Sequence, residues 1–515
     1  MGALGHWPLQ VSTRTRQPGI LILILAFAAI LLTILTGRRI YSSDEASVVP
    51  FSQLSGPTLT PTAAPTLSPQ HPHDDDRTAA IRVDKTLSTL VETIEHTAMY
   101  YDLYKLKEPF DQHFGERGQR AVAIRKWIEI ADSLPASDEK ARIEEAVEKA
   151  ITATFPYLSN PPNGSRTPFK SLRESYITDG KKRGSRGIVV PVGKKNLRMA
   201  CQLVASVTRV HKSSLPIELA YAGDEDLGPE ERHLVKELFP NEDVSFLNVL
   251  SVFDDSTLAL GTGGWAIKPF ALLASRFGEV ILADADTVFV KKPEAIFRQK
   301  GYKRKGALMF HDRLIDKERE EVGKSLSWTE NYAEEADSGI VMVNKGRLDV
   351  LMGMLHAGWQ NSRDVREKVT YKVTYGDKES YWFGLELTEG PYEFEKYYGG
   401  IAGWMGTREG PAAVKAPQVC SYVIAHPDDD EKGLLWYNGS LLKNKVSADR
   451  EYLVPSHWMI NGTWDKGLRP HFSCMKGGML FEISEKERRI LEKSVEEAKR
   501  LDTVFDRNDS KAKGS

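Results

Sequence analysis

With 515 residues, 41% of them hydrophobic, and a net charge of −2, the chain can fold one large domain or two ordinary ones and has no bulk charge to draw it to nucleic acid. Its three cysteines, Cys201, Cys420 and Cys474, exclude a disulfide-dense scaffold, and their spacing fits no zinc site. In an oxidising compartment one bridge is available, Cys420 to Cys474, with Cys201 left over.

Residues 1–19 read as a cytoplasmic tail. The stretch "ILILILAFAAILLTILT" (20–36) follows, uncharged throughout and at the short end of a membrane span. It lacks the polar face of a soluble helix, and no small-x-small cleavage site comes soon after it. An uncleaved signal anchor is therefore expected, with a cleaved signal peptide as the alternative. Arg14, Arg16, Arg38 and Arg39 flank it on both sides, so flanking charge does not set its orientation. Glycosylation triplets beginning at Asn163, Asn438, Asn461 and Asn508 all lie beyond it. The expected plan is a type II membrane protein with its body in the Golgi or endoplasmic reticulum lumen, which also suits so short a span.

Residues 37–80, rich in Pro, Ser and Thr, form an expected disordered stem, and its "HPHDDD" reads as solvated linker rather than a metal site. Residues 81–160 turn helical. In "SDEKARIEEAVEKAITATF" (137–155), Ile143, Val147, Ala150 and Ile151 make one stripe, and Ser137 and Asp138 are placed to cap. A helical subdomain is predicted here, packing on the remainder or spacing it from the membrane, and offering a surface for self-association. "NPPNGSRTP" (160–168) breaks it.

From residue 186 strands and helices alternate. "GIVVPV", "PIELAYAG", "VSFLNVL" and "EVILADAD" read as strands. "NLRMACQLVASVTRV", "PEERHLVKELF" and "WAIKPFALLASRF" read as the helices between them. The pattern predicts an α/β domain over 186–480, a doubly wound and mainly parallel sheet with helices on both faces. Ligands of such sheets collect beyond the carboxyl ends of the strands. Cys201 shares a stripe with Leu197 and Val204 and reads as core. Residues 481–515 read as a packing helix and tail, with Ile490, Leu491, Val495 and Ala498 inside.

The sharpest feature is "GEVILADADTVFVKKP" (278–293), where Asp284 and Asp286 interrupt two apolar runs. The same spacing at Asp74/Asp76, Asp224/Asp226 and Asp428/Asp430 falls in polar surroundings and reads as solvated loop. Carboxylates between apolar runs are costly unless neutralised. A divalent cation carrying a diphosphate would do so, since residues two apart on an extended segment face the same side and hard oxygens suit Mg²⁺ or Mn²⁺. Nearby lysines or backbone amides are the competing explanation.

"GGWAIKPFALLASRFGEVILADADTVFVKKPEAIF" (263–297) resembles the central block of the fungal α-1,3-mannosyltransferases, Golgi type II enzymes of the GT-A fold. "EEADSGIVMVNK" (334–345), "YGDKESYWFGLEL" (375–387) and "HPDDDEKGLLWYNGSLL" (426–442) agree with it, in order, across about half the chain. The resemblance implies mannose transfer from GDP-mannose to a mannose-containing acceptor, with retention and a divalent metal, in the Golgi membrane. It implies Asp284 and Asp286 as metal ligands, Asp284 also facing the ribose, with His426 third or, in its place, His457 of "PSHWMING". Lys268 would meet a phosphate or sugar hydroxyl, or only pair with Asp284. Trp265, Ser338 and Gly339 would contact the donor, and Asp337, Asp377 and Glu379 would lie near the reacting carbon or acceptor. Retention leaves two routes open, a covalent glycosyl-enzyme or same-face entry of the acceptor. Trp382, Trp404, Trp436 and Trp458 would stack on sugars or simply be buried, and "YYGGIAGWMG" (397–406) reads as a flexible acceptor loop. A UDP-sugar donor on the same fold, or a silent glycan-binding protein, are the alternatives.

Overall fold

The computed structural model describes residues 75–178, 182–183, 185–313, 336–406, 417–430, 432–447, 450–466 and 472–514. The expected tail, membrane anchor and most of the stem lie outside the described residues. Among the described residues no helix is long and apolar enough to cross a membrane.

Three helices come first: α1 (Asp75–Leu103), α2 (Phe114–Ser133) and α3 (Asp138–Thr154). At α3 the Ser137 hydroxyl accepts the Lys140 N–H at 3.3 Å, and Asp138 and Glu139 sit favourably in the positive first turn. The predicted stripe, Ile143, Val147, Ala150 and Ile151, is buried.

The sheet core alternates as predicted through β1 (Arg186–Pro191), α4 (Leu197–Ala205), β2 (Ile217–Tyr221), α5 (Pro229–Leu238), β3 (Val244–Asn248), α6 (Ile267–Ala274) and β4 (Glu279–Ala283). Then come β5 (Thr287–Phe289), β6 (Ala307–His311), β7 (Ala336–Asn344), α7 (Leu348–Gln360), α8 (Ser380–Leu387) and β8 (Glu393–Phe394). Seven strands run in the order β8-β6-β7-β4-β1-β2-β3. All are parallel except β7, which is antiparallel to both β4 and β6. The central strands read as unbroken apolar runs because both faces are covered: Ile188, Val190, Ile281 and Leu282 are fully buried.

The helical region is no detached spacer, because residues 84–515 form one compact unit. Phe114 of α2 packs edge-on against Trp359 of α7, and the Tyr157 hydroxyl donates to the Leu355 carbonyl at 2.9 Å.

Strands at the carboxyl end were not predicted. They are β9 (Ile401–Met405), β10 (Gln418–Ser421), β11 (Ile424–Pro427), β12 (Leu434–Asn438), β13 (His457–Ile460), β14 (Thr463–Lys466), β15 (Ser473–Lys476) and β16 (Met479–Glu482). An antiparallel sheet runs β14-β15-β10-β9-β13-β16, and a smaller one joins β11 and β12 to β5. The expected flexible loop at 397–406 is instead largely strand β9. A Cβ on Gly403 would stand 2.2 Å from the Cys420 carbonyl oxygen, so glycine there serves close strand packing, not mobility. Cys420 and Cys474 are bridged across the β10–β15 pair, and Cys201 is buried in the core. The last helix, α9 (Glu485–Gly514), packs on α4, where Gln202 Nε2 donates to Asp502 at 3.0 Å.

Candidate active site

Strand β4 ends at Ala283, which pairs with Ile340 on β7, so the next residue, Asp284, emerges at the carboxyl edge of the parallel strands beside Gly339. Its N–H donates to the Gly339 carbonyl at 2.9 Å, and the Thr287 hydroxyl donates to the same oxygen at 3.0 Å. The chain therefore turns sharply between Asp284 and Thr287, and Asp286 lies on that turn. The Asp286 carbonyl accepts the Ser440 N–H at 2.7 Å, which brings the loop after β12 against it.

Lys268, in the first turn of α6, is only 3% exposed and ties these parts together. Its Nζ lies 2.9 Å from Asp284 Oδ1 and 3.4 Å from Asp377 Oδ2. It also donates to the Ser338 carbonyl and hydroxyl, at 2.8 and 2.9 Å. Burial opposes its charge, but Asp284 and Asp377 outweigh burial and raise its pKa above the usual lysine value. Burial pushes the Asp284 carboxyl up to about 7; Lys268 opposes the rise, and Asp286 and Asp377 add to it. Asp377 precedes α8 and takes a second hydrogen bond, 2.7 Å, from the Tyr381 hydroxyl. Asp286 is held by the Lys445 ammonium.

A second buried cluster stands next to this one. His426 is fully buried, stacked on Trp436 with centroids 4.3 Å apart. Its Nε2 bonds Asp337 Oδ2 at 3.1 Å and its Nδ1 bonds Glu395. Burial disfavours the imidazolium, but the two carboxylates raise its pKa to about 9. Burial likewise lifts Glu395 to about 7. Asp337 is held at about 2 because His426, the Gly339 N–H and the Asn438 amide overcome the effect of burial.

These contacts revise several expected roles. Both ring nitrogens of His426 are engaged by carboxylates, those of Asp337 and Glu395, and no described contact brings it to Asp284 or Asp286. His457 lies on β13 with its Nδ1 on the Ser456 hydroxyl at 2.9 Å, and no described contact brings it to Asp284 or Asp286. Among the described residues no group of three or more His, Cys, Asp or Glu side chains is arranged to hold a metal ion. Glu379 accepts the Ala336 N–H at 2.9 Å and the Trp382 indole N–H, which fastens α8 to β7 and occupies both oxygens. Ser338 serves Lys268, and Gly339 leaves room for Asn438, whose amide would stand 2.6 Å from a Cβ there. Trp382, Trp436 and Trp458 are buried and present no face to a sugar. Trp265 is different: 50% exposed, it leans on Tyr375, 75% exposed, with centroids 5.3 Å apart. Asp226 and Asp428 are not simply solvated. The first accepts the Ala222 N–H at 2.9 Å and the second accepts Gln299 at 3.0 Å and pairs with Lys291.

Glu395, Tyr381, Asn438 and Lys445 are site residues that the sequence did not single out for chemistry. Asn438 was read as a glycosylation triplet, yet its Nδ2, the atom a glycan would take, donates to Asp337 Oδ1 at 3.0 Å. The one signal available was its position on the polar edge of the apolar run "LLWY".

A family model described as "Mannosyltransferase putative" matches residues 185–329 and 325–428. Among curated proteins, "Putative alpha-1,3-mannosyltransferase MNN14" of Candida albicans is 23% identical over 442 residues, covering 74% of this chain and 62% of that one. "Alpha-1,3-mannosyltransferase MNN1" of Saccharomyces cerevisiae is 23% identical, covering 53% and 43%. "Alpha-1,3-mannosyltransferase MNT3" of the same yeast is 25% identical, covering 59% and 55%. The chain thus spans roughly half of these relatives' length. Among solved structures, the galactosyltransferase LgtC with donor and acceptor sugar analogues aligns over 39% of this chain and 70% of its own, at 14% identity and a TM-score of 0.28. A bifunctional glycosyltransferase, WbbM, aligns over 52% and 56% at 14% identity and a TM-score of 0.29.

Proposed function

From its likeness to the fungal α-1,3-mannosyltransferases and the mannosyltransferase family model that matches residues 185–428, we propose that the chain belongs with them and moves mannose from GDP-mannose to a mannose-containing glycan. In this reading the new linkage is α-1,3 with retention, the catalytic body has the GT-A fold, and residues 20–36 anchor it in the Golgi membrane. The observation that carries the reading is Lys268, buried between Asp284 and Asp377 at the carboxyl edge of the parallel strands. Two acids against one lysine leave surplus negative charge at that edge, which a cation would offset.

Asp284 and Asp286 offer hard oxygen donors two residues apart. A cation such as Mn²⁺ or Mg²⁺ commonly takes one or two carboxylates and completes its shell with phosphate oxygens and water, so the pair fits without His426. A metal held there supplies charge stabilisation for the departing diphosphate. Lys268 sets the orientation of Asp284 and adds positive charge on the same edge. Asp377 is the acid placed for the reacting carbon or the acceptor hydroxyl. Tyr381 and Lys268 hold its Oδ2. Asp337, clamped by His426, fixes the start of β7 and with it Ser338 and Gly339. Trp265 and Tyr375 form an exposed aromatic rim beside Lys268 and Asp377.

The test is transfer by the purified full-length protein from GDP-mannose, with Mn²⁺, to an α-mannoside, with the product solved by NMR. A new α-1,3-linked mannose is expected. A β-linked product would overturn retention, and transfer only from a UDP-sugar would overturn the donor.

A further inference from the structure

Both carboxylates of the Asp-x-Asp pair already hold a lysine, and the two lysines differ in kind. Lys268 has four polar partners and is buried on a helix. Lys445 has one described partner, the Asp286 carboxylate, and its side chain is 38% exposed. It sits on the loop after β12, whose two ends are fastened. At one end the Ser440 and Gly439 N–H groups donate to the Asp286 carbonyl at 2.7 and 3.3 Å. At the other the Lys443 N–H donates to the Glu451 carbonyl at 2.7 Å, and the Lys443 ammonium pairs with that residue's carboxylate at 2.9 Å. Just past Lys443, the Asn444 side chain accepts the Val446 N–H in a short turn that carries Lys445, whose ammonium reaches the Asp286 carboxylate. A long, part-exposed side chain on a pinned backbone can change partner without unfolding the loop.

Resting on the reading of Asp286 as a metal ligand, we propose that Lys445 is an exchangeable counter-ion for the site. It holds Asp286 while the site is empty and moves to the diphosphate of the nucleotide sugar when the metal arrives with it. The energetic logic is a competition. A divalent cation entering alone must displace a tethered ammonium and leave it without an anion. A cation entering with a nucleoside diphosphate brings the replacement anion along. Metal and nucleotide therefore bind together, each raising the other's affinity, a coupling whose ordinary range is about 5- to 150-fold. The same device keeps a free divalent cation from filling the site unproductively.

The test is calorimetric titration of Mn²⁺ into the full-length protein, with and without GDP, for wild type, Lys445→Met, Lys445→Arg and Asp286→Asn. Wild type should bind Mn²⁺ weakly alone and at least about fivefold more tightly with GDP. Lys445→Met should bind Mn²⁺ alone about fivefold more tightly than wild type, as expected for loss of one competing ion pair. Its gain from GDP should shrink by about the same factor, leaving what direct metal–diphosphate coordination supplies, whereas Lys445→Arg, which keeps the charge, should preserve the wild-type coupling. If Lys445→Met matches wild type in both titrations while Asp286→Asn has lost Mn²⁺, the counter-ion role is overturned and the metal site stands. If Asp286→Asn binds Mn²⁺ as wild type does with GDP present, the metal reading itself falls, and this proposal with it.

Discussion

Replacing Lys268 with methionine keeps the side-chain volume and removes the one charge that faces both Asp284 and Asp377. At an effective dielectric constant of ~20, attractions over the observed 2.9 and 3.4 Å amount to about 6 and about 5 kcal/mol before desolvation is counted. Most of that is offset by the cost of burying the lysine. Deleting one partner of a buried pair costs about 3–5 kcal/mol, because the acid left behind has no compensation. Asp284 is 26% exposed and can recover hydration, whereas Asp377 is only 4% exposed. The penalty therefore falls mainly on Asp377, and a loss of about 3 kcal/mol is expected, at the lower end of that range. Adding Asp377→Asn should return about 2 kcal/mol of it, since the amide oxygen can still accept from Tyr381 and no orphan charge remains. Urea unfolding followed by tryptophan fluorescence, on wild type, both single variants and the double, measures the coupling. A Lys268→Met loss below ~1 kcal/mol, or no recovery in the double variant, would refute the claim that Lys268 neutralises Asp377.

The His426 clamp predicts a pH signature. Its pKa rises from 6.5 to about 9 in the fold, so the stabilisation that its charge brings is lost as pH climbs through about 9. The stability gap between wild type and His426→Gln, measured by urea unfolding across that window, should narrow toward the alkaline end; a constant gap would contradict the charged clamp. Lys345 is fully buried, its pKa lowered by burial to about 7, and it donates to the Leu272 and Leu273 carbonyls at 3.0 and 2.9 Å and to that of Ser275. It thus caps the C-terminal end of the helix that carries Lys268. Lys345→Met should cost about 3 kcal/mol by orphaning those carbonyls and should weaken donor binding as well, both read on one preparation. The Cys420–Cys474 bridge encloses a sequence separation of 54, worth about 4 kcal/mol on the chain-entropy account. Thiol labelling of the unreduced, denatured protein should modify one cysteine, Cys201, and Cys420→Ser with Cys474→Ser should lower the urea midpoint accordingly.

The parallel core was legible because strands covered on both faces leave unbroken apolar runs, and Ile188, Leu219 and Ile281 sit in such runs. The reversed direction of β7 was not, since "SGIVMVN" reads the same whichever way it pairs. The antiparallel sheets escaped because most of their strands are only four residues long and no helix pattern separates them. In β9 the glycine that allows close packing, Gly403, carries the same signal as a loop. At the site, Asp284 and Asp286 stood out because acids between apolar runs demand a partner. Lys268 followed from its place one helix earlier. Glu395 and Lys445 sit in ordinary polar stretches, and only the fold brings them to His426 and Asp286. His426 was expected to reach Asp284 and Asp286 but bonds Asp337 and Glu395: a histidine's neighbours depend on tertiary contacts, here residues 31 and 89 positions away in sequence.

The central claim is that Asp284 and Asp286 bind a nucleotide-sugar diphosphate through a divalent cation. Titrating GDP-mannose, UDP-galactose and UDP-glucose into the full-length protein, with and without Mn²⁺ and beside Asp286→Ala, tests it most directly. The account predicts GDP-mannose binding that requires Mn²⁺ and is lost in Asp286→Ala. Binding of no nucleotide sugar by the folded protein, or GDP-mannose binding that ignores both Mn²⁺ and Asp286→Ala, would contradict it.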